Sequence, residues 1–140
     1  MSGKKPSDVE DAVLRANAEF YRAFSQADFA AMNALWAEHA PVLCSHPGSQ
    51  VLVGRALVLD SWRQILQEEA AFELRCEEPR VHVFGDVAIV SCYEGSEAHP
   101  AHLAATNVFV LEAERWRMVH HHAGPLARPV SQPVPPADMN

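Results

Sequence analysis

The chain has 140 residues, 49% apolar and 21% charged, a balance that leaves room for one core and excludes extended disorder over most of the length. Eleven Lys and Arg stand against eighteen Asp and Glu, a net charge of −7. Phosphate neutralisation needs a basic surface, so this balance speaks against nucleic acid and against an anionic membrane as partners. Cys44, Cys76 and Cys92 cannot all pair within one chain and show no CxxC spacing, which reads as buried free thiols in a reducing compartment. The opening residues lead into a charged segment and not an apolar run, so no signal peptide or spanning helix is read and a cytoplasmic protein is expected.

Residues 1–7 are expected to be a disordered lead. Ser7-Asp8-Val9-Glu10 has the form of a capping box, and Val9, Val13, Ala16, Phe20 and Phe24 then recur at spacings of three and four, giving one apolar helical face. Asp28 is a second N-cap, opening a short helix with Phe29, Met32, Leu35 and Trp36 on its apolar side. Two short extended pieces, near Val42–Cys44 and Val51–Val53, flank a His46-Pro47-Gly48 turn. A third helix follows Gly54, with Val58, Trp62, Ile65 and Leu66 as its buried stripe.

From Phe72 the period changes to two. Phe72–Glu77 and Val81–Phe84 read as one strand interrupted near Pro79. Gly85-Asp86 is a hairpin signal, and Val87–Glu97 is the returning strand. Leu103–Glu112 and Trp116–Ala123 complete a meander. Helices first and long strands after is an α+β order. Five of the ten prolines fall in Pro125–Asn140, so residues 126–140 form a Pro-rich tail outside a domain over residues 8–125.

Several segments, in order and spacing, make the chain resemble the SnoaL-like branch of the NTF2-like superfamily. They are Phe20-Tyr21 with Asp28, Leu35-Trp36-Ala37-Glu38, His46-Pro47-Gly48, Gly54-Arg55, Ser61-Trp62, Thr106-Asn107-Val108-Phe109 and Trp116-Arg117-Met118-Val119-His120-His121-His122. The resemblance implies a cone: three N-terminal helices packed on a strongly curved six-stranded antiparallel sheet, with a pocket between the layers. That superfamily includes ketosteroid isomerases, dehydratases, polyketide cyclases, transport factors and the association domain of calmodulin-dependent kinases, so the fold alone leaves function open.

Alternation sorts the strand residues by face. Ala88, Val90, Cys92 and Glu94 share one face, and Leu103, Ala105, Asn107, Phe109 and Leu111 share one on the next strand. On the last strand Val119, His121 and Ala123 oppose Trp116, Met118, His120 and His122. By similarity to the superfamily, the sets containing Val90, Asn107 and His121 face the pocket. The expected binding residues are therefore Phe20, Trp36, Trp62, Val90, Cys92, Glu94, Phe109 and Val119, with Asn107, His121 and His46 as catalytic candidates. Asn107 reads either as an orienting amide for a ligand oxygen or as a buried amide satisfying the backbone. His121 reads as a general base or as a satisfied core histidine. Glu94 sets the His121 tautomer, receives a ligand or sits solvated at the rim.

The isomerase base, an acid followed by proline, matches His46 best, with Cys44 and Ser45 as competing positions. The three tyrosines of the isomerases match Phe20, Trp36 and Trp62, so the resemblance implies that their hydroxyl network is missing here. His120 and His122 form an i, i+2 pair that can chelate a metal from a strand, but the sequence places no third ligand, and neither metal nor cofactor is assigned. The leading reading is a cone binding a small, largely apolar molecule with one polar end, with acid/base chemistry of the isomerase, dehydratase or cyclase kind. The alternative is a non-catalytic association module similar to the kinase association domain. A homodimer is expected on the convex face, because Val108, Val110, Trp116 and Met118 would otherwise expose an apolar patch.

Overall fold

A computed structural model describes residues 5–68, 73–128 and 130. The expected strand start at Phe72, residues 1–4 of the lead and residues 131–140 of the tail lie outside them. Helix α1 runs Pro6–Ser25, α2 Phe29–Leu35 and α3 Arg55–Glu68; the strands are β1 Leu43–Ser45, β2 Val51–Val53, β3 Arg75–Phe84, β4 Val87–Gly95, β5 Leu103–Glu112 and β6 Arg115–Pro125. They form one sheet in the order β2-β1-β6-β5-β4-β3, and the helices pack on one side of it.

The α1 stripe is buried through Val13, Asn17, Phe20, Tyr21 and Ala23. Its start differs from the capping-box expectation. Pro6 takes the first helical position, where its missing N–H costs nothing, and Lys5 caps through extended backbone without a side-chain bond. Ser7 therefore lies inside the first turn. Asp28 does cap α2, its carboxylate accepting from Ala31 N at 3.0 Å. The linker after α2 is fastened to the β5–β6 hairpin by the Glu112 carboxylate, which accepts from the N–H groups of Glu38, His39 and Ala40 at 2.9–3.0 Å. Those three donors hold Glu112 down to about 2.

Two features depart from an all-antiparallel meander. Strand β1 pairs with β2 antiparallel but with β6 parallel, Leu43, Cys44 and Ser45 opposite His120, His121 and His122, so the sheet is mixed. The β5–β6 register also shifts: Val108 faces His120, while Phe109 faces Met118, which leaves Val119 as a bulged residue with no partner on β5. A bulge inverts side-chain parity beyond it. Met118 and Trp116 therefore turn toward the helices and not outward, and Met118 is fully buried. The proposed convex patch of Val108, Val110, Trp116 and Met118 is corrected accordingly. The large apolar side chains most exposed on the sheet are Leu43, Val51, Val53, Phe84, Val87 and Leu111.

A second bulge, at Glu78-Pro79, breaks β3 between Glu77 and Arg80 where the prolyl ring lacks a ladder donor. At the other end of the β3–β4 ladder, Gly95 lets the 96–102 loop lie directly on the strand. A Cβ there would run into the backbone of His99, Pro100 and Ala101. Backbone cannot yield as a flexible side chain does, so Gly95→Ala is expected to destabilise by about 1–3 kcal/mol, read as a lower urea midpoint.

Candidate functional site

Parity on β4, β5 and β6 delivers Glu94, Asn107 and His121 to the helix-facing side, where they are 2%, 0% and 4% exposed. Val90 stands opposite Asn107, and Asn107 opposite His121. The hydrogen-bond chain begins at His121, whose Nδ1 lies 2.6 Å from Asn107 Oδ1. The Asn107 amide nitrogen donates to Asn17 Oδ1 at 2.8 Å and to the Tyr21 hydroxyl at 3.1 Å. Tyr21 donates onward to Glu94 Oε2 at 2.6 Å. Two thiols close the lower edge: Asn17 Nδ2 donates to Cys76 Sγ at 3.4 Å, and Cys92 Sγ lies 3.2 Å from the Tyr21 hydroxyl.

These contacts decide a tautomer. Asn107 Oδ1 is an acceptor, so His121 Nδ1 carries the hydrogen and Nε2 carries the lone pair. That lone pair lies 4.0 Å from Glu94 Oε2 and takes no hydrogen bond among the described residues. Burial holds His121 neutral, its pKa lowered to about 3. Burial also raises the Glu94 carboxyl above its ordinary value, against the opposing pull of the Tyr21 hydrogen bond and the charge of His102. Two titratable groups side by side, both displaced toward their neutral forms, are what a desolvated polar end produces.

Beside them lies a cavity of about 220 Å³, lined by Phe20, Phe24, Trp62, Ile65, Leu74 and Leu103, with His46 and Pro47 on one side and Glu94 and His121 at the polar end. Phe20 and Trp62 meet edge to face at 5.4 Å, and Phe24 and Trp62 at 5.9 Å. His46 Nε2 is 2.9 Å from Ser61 Oγ, and Ser61 gives its own hydrogen to Val58 O at 2.6 Å. His46 Nε2 is thus the donor of that pair, and Nδ1 keeps the lone pair.

The structure separates the expected site residues into three groups and sets Val119 apart from all of them. Phe20, Trp62, Glu94, His121 and His46 border the cavity. Asn107 and Cys92 belong to the hydrogen-bond chain beneath it, and Trp36, Val90 and Phe109 are fully buried core behind it. Val119 is the bulged residue and does not line the cavity, since the bulge displaces it from the inward row. Of the competing positions at the base match, Cys44 packs in the core with its thiol pushed up to about 12, and His46 is the one bordering the cavity. His120 and His122 lie with ring centroids 6.4 Å apart, and no cluster of three metal-ligating side chains occurs among the described residues.

The expected loss of the tyrosine hydroxyl is corrected too. Phe20 has none, but Tyr21 points its own into the network. Asn17 and Tyr21 were the residues that strand parity could not supply. They are one helical turn apart, beside the Val13-Phe20-Phe24 stripe, and that i, i+4 spacing of polar side chains at the edge of an apolar face is the signal that identifies them.

A mixed, curved sheet under three helices, with a buried polar cluster opening on a cavity, defines an NTF2-like α+β cone. The chain belongs to the SnoaL-like domain family, whose family model matches residues 13–128. A structure from Streptomyces avermitilis, described as a candidate dehydratase of the NTF2-like family, is 32% identical and covers 87% of this chain and 99% of its own, with a TM-score of 0.79. One from Thiobacillus denitrificans, described as a candidate calcium/calmodulin-dependent protein kinase type II association domain, is 37% identical and covers 79% and 92%, with a TM-score of 0.66. Among curated proteins, F-box protein SKIP8 of Arabidopsis thaliana is 29% identical over 112 residues, which is 80% of this chain and 48% of that protein. The chain spans about half the length of that relative.

Proposed function

We propose that the chain binds a small, largely apolar molecule in the cavity between α1, α3 and the sheet, and moves a proton at its polar end. Glu94 is the proton acceptor and His121 Nε2 orients the ligand. The observation that carries this reading is the Glu94 carboxylate: buried, anchored through Oε2 by Tyr21, and facing a cavity whose other walls are mainly apolar. A carboxylate held above its ordinary pKa is a stronger base than a solvated one, whereas the depressed pKa of His121 suits an acceptor and not a cation. Asn107 is a positioning residue that fixes the His121 tautomer from below.

Size narrows the substrate. The cavity holds about seven waters' worth of volume at about 30 Å³ each, and falls below the roughly 300–1,000 Å³ of sites for drug-sized ligands. The cavity is small for a fused steroid, and the Tyr21 hydroxyl is already committed to Glu94, so ketosteroid isomerisation is expected at background rate in a standard spectrophotometric assay. Small aromatic and alicyclic fragments are expected to raise the melting temperature of the wild-type chain. Leu103→Trp, which fills the cavity from β5, is expected to abolish that rise. Equal shifts in both proteins, or none in the wild type, would overturn the reading.

The likeness to the Thiobacillus protein supports a second, structural reading, self-association. The exposed Phe84, Val87, Leu43, Val51 and Val53 supply apolar surface on the sheet for a second copy. Sedimentation at micromolar concentration is expected to give a homodimer, and a monomer mass would remove this reading. No helix among the described residues is long and apolar enough to cross a membrane. The free thiols Cys44, Cys76 and Cys92 support a cytoplasmic location, where thiols stay reduced.

A further inference from the structure

We infer that the polar end of this cavity selects a small organic ammonium, an amine head on a compact apolar body. The inference rests on reading the cavity as a ligand site, and it follows from an inventory of hydrogens. Tyr21 has given its proton to Glu94 Oε2, and the Asn107 amide has given both of its own to Asn17 and Tyr21. His121 has turned its N–H away toward Asn107, and His46 has turned its N–H toward Ser61. At the cavity's polar end the side chains retain acceptors, His121 Nε2, the second Glu94 oxygen and His46 Nδ1, while the indole N–H of Trp62, the unpaired donor among the lining residues, is itself buried. None of these three atoms takes a hydrogen bond among the described residues. A ligand must therefore bring the donors, and a primary ammonium brings three.

Charge points the same way. A carboxylate 2% exposed is costly unless a cation stands against it, and among the described residues no lysine or arginine pairs with Glu94. The nearest ring nitrogen, His121 Nε2 at 4.0 Å, is unprotonated. The place of the missing cation is bordered by Phe20, Phe24 and Trp62, whose ring faces attract an ammonium and its adjacent methylenes. The net charge of −7 favours the approach of a cation and disfavours that of a carboxylate.

Benzylamine, benzyl alcohol, acetophenone and benzoate share a ring and differ in the head group, so their ranking by isothermal titration on the wild-type chain tests the inference. Benzylamine is expected to bind about ten-fold tighter than the alcohol or the ketone, the margin of a charge-assisted over a neutral hydrogen bond, and benzoate not at all. Glu94→Gln is expected to bring the amine down to the affinity of the alcohol. The wild-type ranking decides even if that variant folds poorly. Alcohol or ketone binding as well as the amine, or benzoate binding at all, would overturn the ammonium assignment and leave the cavity a ligand site. Binding by none of the four would overturn both readings.

Discussion

Asn107→Leu is expected to lower the unfolding free energy by about 3–5 kcal/mol, at the severe end for a single substitution. Leucine keeps asparagine's branched shape and is the larger of the two, so none of that loss comes from a cavity. It comes from the neighbours. Asn107 satisfies Asn17 Oδ1, the Tyr21 hydroxyl and His121 Nδ1 at once, and all four side chains are at most 5% exposed. Removing the amide strands Asn17 Oδ1 and His121 Nδ1 where water cannot replace it, at about 1–3 kcal/mol each before they relax, and takes one donor from a Tyr21 hydroxyl that keeps Glu94. Urea denaturation checks this through a lower midpoint with an unchanged slope. A loss under about 1 kcal/mol would mean that the network re-forms around the gap and is not what holds the sheet to α1.

Stability is expected to fall steeply as the pH is lowered below neutrality, and His121 is the main cause. Its pKa drops from 6.5 in the unfolded chain to about 3 in the fold, because burial opposes the charged ring. Between those values the unfolded state binds a proton that the native state refuses. The contribution is thus fully present above 6.5 and is lost as the pH falls toward 3, at up to about 1.4 kcal/mol per pH unit. His46 and His120 are lowered by burial as well and add to the slope. Glu94 acts with the opposite sign: its raised pKa favours the fold at low pH, and that share is lost as the pH rises through the folded value. His121→Gln replaces the Nδ1–H donor with an amide and cannot titrate, so its stability curve between pH 6.5 and 5 is expected to be flatter than wild type. Identical slopes in chemical denaturation at several pH values would show that His121 charges freely in the native state.

Periodicity was sufficient for the elements and for one face of the site. The α1 and α3 stripes, the Asp28 cap and the break at Pro79 follow from residue type and spacing along the chain, and alternation gave Glu94, Asn107 and His121 a face on each strand, while the resemblance to the superfamily implied that those faces meet in the pocket. The same counting failed at Val119. A bulge consumes one residue without changing composition, so Trp116 and Met118 read as outward and lie inward. The cavity wall was legible in part. Phe20, Phe24, Trp62 and Ile65 come from helical stripes and Leu103 from the Asn107 face of β5, but Leu74 reaches it from the segment before β3, where no period operates.

The amino-acid order by itself determined that this protein is an α+β domain of the SnoaL-like kind, with polar residues set into an apolar strand pattern at 94, 107 and 121. Periods of two and 3.6 are local properties of the backbone, so they survive in a linear text. The tertiary structure alone decided that β1 runs parallel to β6, that Tyr21 and not Phe20 supplies the hydroxyl, and that His121 presents a bare Nε2 to the cavity. Each of these depends on a partner 14 to 86 positions away along the chain. A tautomer is fixed by the group on the far side of the ring, and a strand's direction by the strand it meets. Neither is a property of the residue that carries it.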